Sequence, residues 1–248
     1  MRHLTKDKGD LGVARTLPDL LEHGIRACLP LSEHLPFDLI AVMPDFTTLR
    51  RVQVKYRGME RGAVELEFKS NYYDSKRIYS KYVDLGELDV YAIYNPQAYQ
   101  VYYLRIDEIR PDMRSITLRV EPPKNGQKLG VKLAANYVNP CRIAPDIKPI
   151  PACLRLNTEL DEIALDKAIA WLMGQEIQPC LSHSAYLPFD LVAVLPDMKI
   201  LKRVRVGWGT VEWTSYADWF VVYEPAQQAC RLYESGALPA DLIRKAAG

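Results

Sequence analysis

Apolar residues in the first part of the chain follow two spacings. Between residues 10 and 23 they stand at positions 13, 14, 17, 20 and 21, the spacing of one helix face, with Pro18 indicating a kink and Gly24 ending the pattern. Short β-rich runs separated by turn-forming residues follow, namely IRACLP, DLIAVM, LRRVQVKY, AVELEF, LDVYAIY and QVYYL. This order predicts a helix followed by a central mixed β-sheet.

The second part of the chain repeats this pattern. Residues 35–57 read LPFDLIAVMPDFTTLRRVQVKYR, and residues 187–209 read LPFDLVAVLPDMKILKRVRVGWG, 152 positions later and without a gap. The segment DVYAIYNPQAYQVYYL from Asp89 resembles DWFVVYEPAQQACRLY from Asp218 at an offset of 129, so the second copy lacks about twenty residues. Its helix is predicted from TELDEIALDKAIAWLMG, with a threonine cap at the start and a glycine at the end.

A proline-rich stretch separates the copies. Four prolines between positions 140 and 151 each fix φ and remove a backbone donor, so neither a helix nor a central strand can run through them. The sequence therefore predicts an α/β protein of two tandem domains, residues 1–144 and 158–248, joined by a Pro-rich linker of residues 145–157. The second domain is the shorter one.

The copies differ at polar positions on one predicted strand. The two valines of VQVK are retained in the second copy, but Gln53 becomes Arg205 and Lys55 becomes Gly207. Because side chains alternate between the faces of a strand, Gln53 and Lys55 are predicted to share one face with Arg51, opposite the valines. The first copy thus carries polar groups that the second copy lacks.

Asp38 opens the strand that precedes this one. Neighbouring antiparallel strands lie about 5 Å apart, so its carboxylate is expected within reach of Gln53 and Lys55. Carboxylate and amide oxygens are hard ligands that suit Mg²⁺, and a lysine can orient water or offset charge on a phosphate. The combination favours metal-assisted phosphodiester hydrolysis. The alternative interpretation is a strand-start carboxylate beside a solvated lysine, which the retained Asp190 of the second copy supports.

Five segments of the first copy resemble the PD-(D/E)XK nucleases, in particular the homing endonucleases associated with bacterial group I introns. They are KGDLG at Lys8, SEHLPFDLIA from Ser32, RVQVKYR from Arg51, DVYAIY from Asp89 and LRVEPPKNGQ from Leu118, spread over roughly residues 6–137. The resemblance implies two restriction-endonuclease-like domains, each a central mixed sheet flanked by helices, with the second domain degenerate.

The resemblance also implies roles for individual residues. In that family an aspartate binds the metal, a glutamine stands where relatives carry Asp or Glu, and a lysine is catalytic. These roles fall on Asp38, Gln53 and Lys55. Asp38 and Gln53 are then the ligands of Mg²⁺, and Mn²⁺ is an alternative ion. Many relatives place a further glutamate ligand on the first helix, where the nearest acid is Asp10, assigned as an additional ligand. Alternatively, Asp10 stabilises the helix N-terminus, as Glu162 of the second copy suggests.

Two basic segments of the first copy are candidates for DNA contact. In the stretch that the second copy lacks, tyrosines are interleaved with lysines and arginines, which predicts a loop that grips phosphates and packs rings on sugar or base. The alternative is an exposed polar loop. The second segment contains the EPPKNGQK turn. The candidate DNA-binding residues are Lys69, Tyr72, Tyr73, Lys76, Arg77, Lys81, Arg119, Lys124 and Lys128.

Composition narrows the class of protein only slightly. The net charge of the 248 residues is +1, so affinity for DNA has to come from local clusters of Lys and Arg. The five cysteines form no C-x-x-C pair, which predicts free thiols in a reducing compartment. With no long apolar stretch and no leader-like start, the sequence predicts a cytoplasmic protein without a membrane partner.

Together these features predict a metal-dependent, homing-type endonuclease that hydrolyses phosphodiester bonds of double-stranded DNA at specific sites. The first copy is expected to be catalytic. The second copy is expected not to cleave, and either to pack on the first as an intramolecular pseudo-dimer or to extend the DNA footprint. A homo-oligomer is an alternative, because relatives assemble from identical subunits. The alternative function is a catalytically inactive DNA-binding or assembly protein on the same fold.

Overall fold

The computed structural model describes residues 4–32, 34–73, 78–82, 84–121, 130–144, 146–147, 159–184 and 186–244. Its two α-helices are α1, Leu4–Glu22, and α2, Glu159–Gly174. Short 3-10 segments lie at Leu85–Glu87, Ile106–Glu108, Ala134–Tyr137, Pro140–Ile143 and Ala240–Leu242. Among the described residues, neither helix combines the length and the apolar character needed to cross a membrane.

The described residues form seventeen strands, ten before α2 and seven after it. The strands before α2 are β1 Arg26–Pro30, β2 Leu39–Val42, β3 Leu49–Tyr56, β4 Ala63–Glu67, β5 Lys69–Tyr73, β6 Ile78–Tyr82, β7 Val90–Asn95, β8 Gln100–Arg105, β9 Ser115–Arg119 and β10 Lys132–Leu133. The strands after α2 are β11 Gln178–Ser182, β12 Leu191–Val194, β13 Leu201–Trp208, β14 Val211–Glu212, β15 Trp219–Glu224, β16 Ala229–Glu234 and β17 Ile243–Arg244.

The chain forms two compact units. The first comprises Met1–Ile25, Pro36–Asp38 and Arg50–Asp146. In it β3 pairs in parallel with β7, and β7 pairs antiparallel with β8, while α1 packs on β7 and β8. A smaller sheet has the order β10-β9-β4, and β5 pairs with β6. The core of this unit is apolar and aromatic, with Tyr91, Ile93 and Tyr103 fully buried.

The second unit comprises Arg26–Leu35, Leu39–Leu49 and Ile147–Gly248. Its seven main strands follow the order β16-β15-β13-β12-β11-β1-β2, in which β13 and β15 are parallel and the other neighbours are antiparallel. Three buried small or apolar residues of α2, namely Ala164, Ala168 and Leu172, pack against this sheet. Strands β14 and β17 pair in parallel and form a separate two-stranded sheet.

The fold is therefore mixed α/β with mixed sheets, which confirms that part of the fold prediction. The two compact units divide between Asp146 and Ile147, and the second unit also includes β1 and β2 of the first repeat, with β1 paired to β11. The predicted linker lies mostly outside the described residues, as does the predicted cap Thr158. Two tandem domains remain a prediction.

The backbone repeats with the two offsets of the sequence. Strands β11, β12 and β13 begin and end 152 positions after β1, β2 and β3, and β15 and β16 begin and end 129 positions after β7 and β8. Left-handed backbone conformations recur at the same offsets. The recurring pairs are Gly24 with Glu176, Phe46 with Met198 and Tyr99 with Gln228.

Two local predictions were wrong. The first helix begins at Leu4, not near residue 10, because its first turns are polar and leave no apolar pattern in the sequence. Pro18 lies inside this helix, and the kink predicted there stays a prediction. The segment from residue 70 to residue 81 was predicted as a loop, but all of its described residues belong to β5 or β6. The two strands pair antiparallel, with Tyr72 opposite Tyr79, because tyrosine, isoleucine and serine are compatible with an extended backbone.

Candidate active site

Asp38 immediately precedes β2 and is held against β3 by main-chain hydrogen bonds. Its backbone N–H donates to the carbonyl oxygen of Val52 at 3.0 Å, and its Oδ2 accepts from the backbone N–H of Val54 at 2.6 Å. The same Oδ2 accepts a hydrogen bond from the side-chain amide of Gln53. The structure therefore brings the carboxylate of Asp38 and the amide of Gln53 into direct contact.

Lys55 lies on β3 two residues beyond Gln53. Val52 and Val54 are buried, whereas Gln53 and Lys55 are intermediate in exposure, so the side chains alternate between the core and a more open face. The ammonium of Lys55 and the carboxylate of Asp38 attract each other electrostatically. An acid, an amide and an ammonium thus converge within the first unit.

Burial dominates the ionisation of the two charged residues. Desolvation raises the pKa of Asp38, and the hydrogen bond from Val54, the charge of Lys55 and the amide of Gln53 offset this rise only in part. Desolvation likewise lowers the pKa of the Lys55 ammonium, against the attraction of Asp38, and the nearby Arg57 lowers it further. Both pKa values are therefore displaced toward the neutral forms of the side chains, compared with an exposed aspartate or lysine.

Asp10 lies on the exposed side of α1. A close approach of this helix to β3 is possible because position 12 is glycine, where a Cβ would stand only 3.2 Å from Cγ1 of Val54. The negative charge of Asp10 contributes to the raised pKa of Asp38. The two carboxylates therefore lie within electrostatic reach of each other.

The oxygen donors of this cluster fit a small, hard cation. The hydrogen bonds from Gln53 and Val54 both go to Oδ2 of Asp38, so among the described residues these donors leave Oδ1 for another ligand. Gln53 adds an amide oxygen, and Asp10 a second carboxylate. Among the described residues no three His, Cys, Asp or Glu side chains group as a metal site. The candidate ligands are therefore few and include an amide oxygen. Mg²⁺ can bind such a small set of protein ligands because water molecules complete its coordination.

The equivalent position of the second repeat keeps only the structural part of this arrangement. The backbone N–H of Asp190 donates to Val204 at 2.8 Å, and its Oδ2 accepts from the backbone N–H of Val206 at 2.7 Å. These bonds repeat those of Asp38 on β3. An aspartate at this position thus connects two strands whether or not chemistry takes place beside it.

Arg205 replaces Gln53 in the second repeat. It is 3% exposed and forms an ion pair with Glu212. Within the described part of the chain its Nε and Nη1 have no hydrogen-bond partner. Desolvation lowers the pKa of this guanidinium, while the charges of Glu212 and Asp161 oppose the shift. Asp161 also pairs with Arg244 at 3.1 Å. In the second repeat the buried guanidinium of Arg205 therefore stands at the position equivalent to Gln53, the candidate metal ligand of the first repeat.

Gly207 replaces Lys55, and the backbone around it leaves no room for any side chain. A Cβ at this position would lie 2.1 Å from the carbonyl oxygen of Thr210 and 2.7 Å from the Cα of Val211. The chain turns back sharply here, since the N–H of Thr210 donates to the carbonyl of Trp208 at 2.7 Å. The lysine of the first repeat cannot be accommodated in this conformation.

We expect Gly207→Ala to lower the melting temperature of the protein. The added methyl would contact backbone atoms that cannot move independently, and overpacking of this kind costs about 1–3 kcal/mol. The matched control is Gly236→Ala, because a Cβ there meets nothing within 4 Å. Thermal unfolding followed by circular dichroism compares the two, and equal melting temperatures would show that the turn readily rearranges.

Arg51 has a structural role that sequence reasoning missed. It was predicted to share the open face with Gln53 and Lys55, but it is 9% exposed and its Nε and Nη2 both donate to the carboxylate of Asp89 at 3.0 Å. Arg203 and Asp218 form the same two-fold contact in the second repeat. Retention of both partners in both copies was the signal that this pair stabilises the fold.

The candidate DNA-binding residues are only partly described. Lys69 forms an ion pair with Glu67 at 3.0 Å, and Nη1 of Arg119 donates to the carbonyl of Arg61 at 2.9 Å. Tyr72, Tyr73 and Lys81 belong to β5 and β6. The remaining candidates, Lys76, Arg77, Lys124 and Lys128, lie outside the described residues. Their contact with DNA stays a prediction.

Comparison with known proteins points to one family. A family model described as PD-(D/E)XK endonuclease matches residues 3–140, more than half of the chain. The solved structure of a bacterial homing endonuclease, I-Ssp6803I, is similar over 54% of this chain and 88% of that chain, at 22% sequence identity and a TM-score of 0.45. No curated protein matches the sequence. The range matched by the family model includes Asp10, Asp38, Gln53 and Lys55.

Proposed function

Because the chain belongs to the PD-(D/E)XK endonuclease family, we propose that it hydrolyses phosphodiester bonds of double-stranded DNA with Mg²⁺ at a catalytic centre in the first repeat. The observation that carries this proposal is the convergence of Asp38, Gln53 and Lys55, two of them in direct contact. At the same positions of the second repeat, Arg205 and Gly207 provide neither a metal ligand nor an ammonium. Cleavage at specific, homing-type sites belongs to the same proposal.

Each residue of the cluster has a distinct role. Asp38 and Gln53 would hold the divalent ion through oxygen atoms, with Asp10 contributing a further carboxylate from α1. The chemistry that Mg²⁺ supplies when bound is neutralisation of charge on the phosphate and acidification of a water molecule. The ammonium of Lys55, kept beside the carboxylate of Asp38, would orient the attacking water or donate a hydrogen bond to a phosphate oxygen.

Substrate binding is assigned to the two basic segments. Lysine and arginine side chains there would contact phosphates, and the tyrosines of β5 and β6 would pack on sugars or bases. Since the net charge is only +1, affinity should depend on these local cations and fall steeply with salt. The residues so assigned are Lys69, Tyr72, Tyr73, Lys76, Arg77, Lys81, Arg119, Lys124 and Lys128.

The test of this function is cleavage of supercoiled plasmid and of a random-sequence duplex pool. The protein is incubated with Mg²⁺, with Mn²⁺ or with EDTA, and the new DNA ends are sequenced. We expect ends that require the divalent ion and that cluster at a recurring sequence. Absence of ends under both ions, with DNA binding intact in a filter or mobility assay, would reject the enzyme in favour of an inactive DNA-binding protein.

The pH range over which the protein cleaves DNA should be narrower than it would be if Asp38 and Lys55 were fully exposed. Asp38 must be ionised to bind a cation, and its raised pKa means that activity is lost as pH falls at a higher pH than for an exposed aspartate. Lys55 must keep its proton, and its lowered pKa brings the alkaline loss of activity to a lower pH. Single-turnover rates across pH at two Mg²⁺ concentrations check this, because more Mg²⁺ should shift only the acidic limb, toward lower pH. An acidic limb independent of Mg²⁺ would contradict the assignment of Asp38 as a ligand.

A further inference from the structure

The two sequence repeats meet through equivalent strands. Strand β1 of the first repeat pairs antiparallel with β11 of the second, within the second compact unit. Each residue of β1 has its equivalent in β11, 152 positions later. If every residue is replaced by its equivalent, the same residue pairs are obtained. The register is Cys28 with Ser182, Leu29 with Leu181 and Pro30 with Cys180.

The hydrogen bonds beside this register obey the same exchange. The N–H of Leu31 donates to the carbonyl of Pro179 at 3.3 Å, and the N–H of His183 donates to the carbonyl of Ala27 at 2.8 Å. Leu31 is the equivalent of His183, and Ala27 is the equivalent of Pro179. Self-complementary contacts of this kind define a two-fold interface between identical subunits. The chain thus reproduces within itself the strand pairing of a symmetric dimer centred on Leu29.

This pairing also uses the edges that a second chain would need. Strand β1 lies between β11 and β2, and β11 lies between β1 and β12, so both sides of each strand are occupied. A second copy of the protein cannot add to either strand without displacing the other repeat. Assembly of two chains through this strand, as in the homo-oligomer alternative, is therefore replaced by assembly within one chain.

The two halves of this internal dimer are not equivalent in chemistry. In the second repeat the guanidinium of Arg205 is buried beside Glu212 and replaces a metal ligand with a positive charge, which opposes binding of a divalent ion. At Gly207 the turn excludes a lysine sterically. Both losses are built into the packing, so the second centre is closed to the metal and to the catalytic ammonium.

We infer that the chain is an internal pseudo-dimer with one functional centre, and that it cuts one strand of its target duplex in each binding event. This inference rests on the proposed function. A single catalytic centre hydrolyses one phosphodiester bond at a time, and the two strands of a duplex each need a hydrolysis of their own. A pseudo-dimer with one live centre therefore leaves a nick, and its bound orientation determines which strand carries it.

The test is strand-resolved cleavage under single-turnover conditions. A duplex carrying the recovered target site is labelled with a different dye on each strand and resolved on a denaturing gel. We expect one strand to be cut and the other to react at least about 100-fold more slowly, since a centre without a metal ligand and lysine has lost most of its rate enhancement. Rates within 10-fold of each other (about 1.4 kcal/mol) for the two strands would overturn the inference.

Two variants assign the cut to a repeat. Asp38→Asn should abolish the cut, whereas the equivalent Asp190→Asn should leave its rate unchanged within about twofold, provided that its melting curve shows a folded protein. Loss of a second-strand cut in Asp190→Asn would show a live second centre and overturn the inference. Absence of cutting on either strand by the natural protein would instead reject the proposed function, and the inference with it.

A second readout does not depend on DNA cleavage. Fe²⁺ bound in place of Mg²⁺ cuts the polypeptide near its site when ascorbate and peroxide are added, and the fragments can be sized by mass spectrometry. We expect fragments ending near Asp38 and Gln53 that Mg²⁺ suppresses, and none near Asp190 or Arg205. Mg²⁺-sensitive fragments around Asp190 would show that the second repeat binds metal and would contradict a single centre.

Discussion

Lys55→Ala is expected to reduce the rate constant of DNA cleavage by about 10²–10⁴-fold, the range found when a positioned proton donor or charge-stabilising group is removed. The ammonium interacts electrostatically with the carboxylate of Asp38 and is partly withdrawn from water. In such surroundings its interaction with a developing negative charge is stronger than in solvent. Alanine is compatible with an extended backbone and removes the ammonium together with the alkyl chain that carries it.

The affinity of Lys55→Ala for DNA should remain within a few fold of the natural protein. One cation among many contributes little to binding, so the loss should appear in the rate constant and not in the dissociation constant. The matched control is Lys199→Ala, which removes the same charge from an exposed position in the second repeat and should leave cleavage unchanged. Lys55→Arg tests geometry, because a guanidinium keeps the charge but presents it in a larger planar group.

Two outcomes would contradict this assignment. Cleavage by Lys55→Ala within about threefold of the natural rate would show that the lysine takes no part in the chemistry. Equal DNA binding by both proteins, without cleavage by either under any divalent ion, would favour the inactive DNA-binding protein. Gel-based cleavage rates and mobility-shift affinities on the same duplex distinguish these cases.

Asp38→Asn is expected to abolish cleavage and at the same time to stabilise the folded protein near neutral pH. Burial raises the pKa of Asp38, so the folded protein binds this proton more tightly than the unfolded chain does. The contribution of this group to the free energy of unfolding is therefore complete below the ordinary carboxyl pKa and is lost as pH rises through the raised value. Asparagine removes this partly buried charge, and its side-chain oxygen can still accept from the N–H of Val54.

Asp45→Asn provides a control of opposite sign. Hydrogen bonds from Thr47 and Thr48 outweigh desolvation and lower the pKa of Asp45, so the ionised form is the one that stabilises the turn. Its contribution is present above the ordinary carboxyl pKa and is lost as pH falls through the lowered value. Asp45→Asn should therefore lower the melting temperature at neutral pH and leave cleavage intact.

Melting curves recorded at neutral pH and at pH values below the ordinary carboxyl range decide this prediction. The gain in melting temperature for Asp38→Asn should vanish in acid, where the natural aspartate is itself protonated. A lower melting temperature for Asp38→Asn at neutral pH would mean that the hydrogen bonds of the ionised carboxylate outweigh its desolvation. Retained cleavage in the same variant would remove Asp38 from the catalytic centre.

Comparison of the repeats separates structural residues from candidate catalytic residues better than either repeat alone. Asp190 keeps the strand contact of Asp38 without a lysine beside it, so the persistence of an aspartate proves nothing about chemistry. Gln53 and Lys55 are the positions that change, and they are the ones that converge with Asp38. Arg51 lies on the same strand, yet its contacts with Asp89 and with the carbonyl of Gly86 give it a structural role.

The sequence by itself determined most of the local structure. The run of strands from β1 to β4 and the pair β7 and β8 follow from short β-rich segments, since alternation of apolar and polar residues specifies which face is buried. The same alternation put Gln53 and Lys55 on one face, and the order of the strands placed Asp38 next to them. The internal repeat was visible without coordinates, and the family followed from motifs in the right order.

Only the tertiary structure decided how these pieces are joined. The pairing of β1 with β11 links positions 152 residues apart on average, and register between distant strands leaves no local pattern in a sequence. The ion pair of Arg51 with Asp89 depends on the parallel neighbour β7, and the exclusion of a side chain at Gly207 depends on the path of the next turn. Local pattern records which side chains avoid water, whereas contact between distant segments depends on the packing of the whole chain.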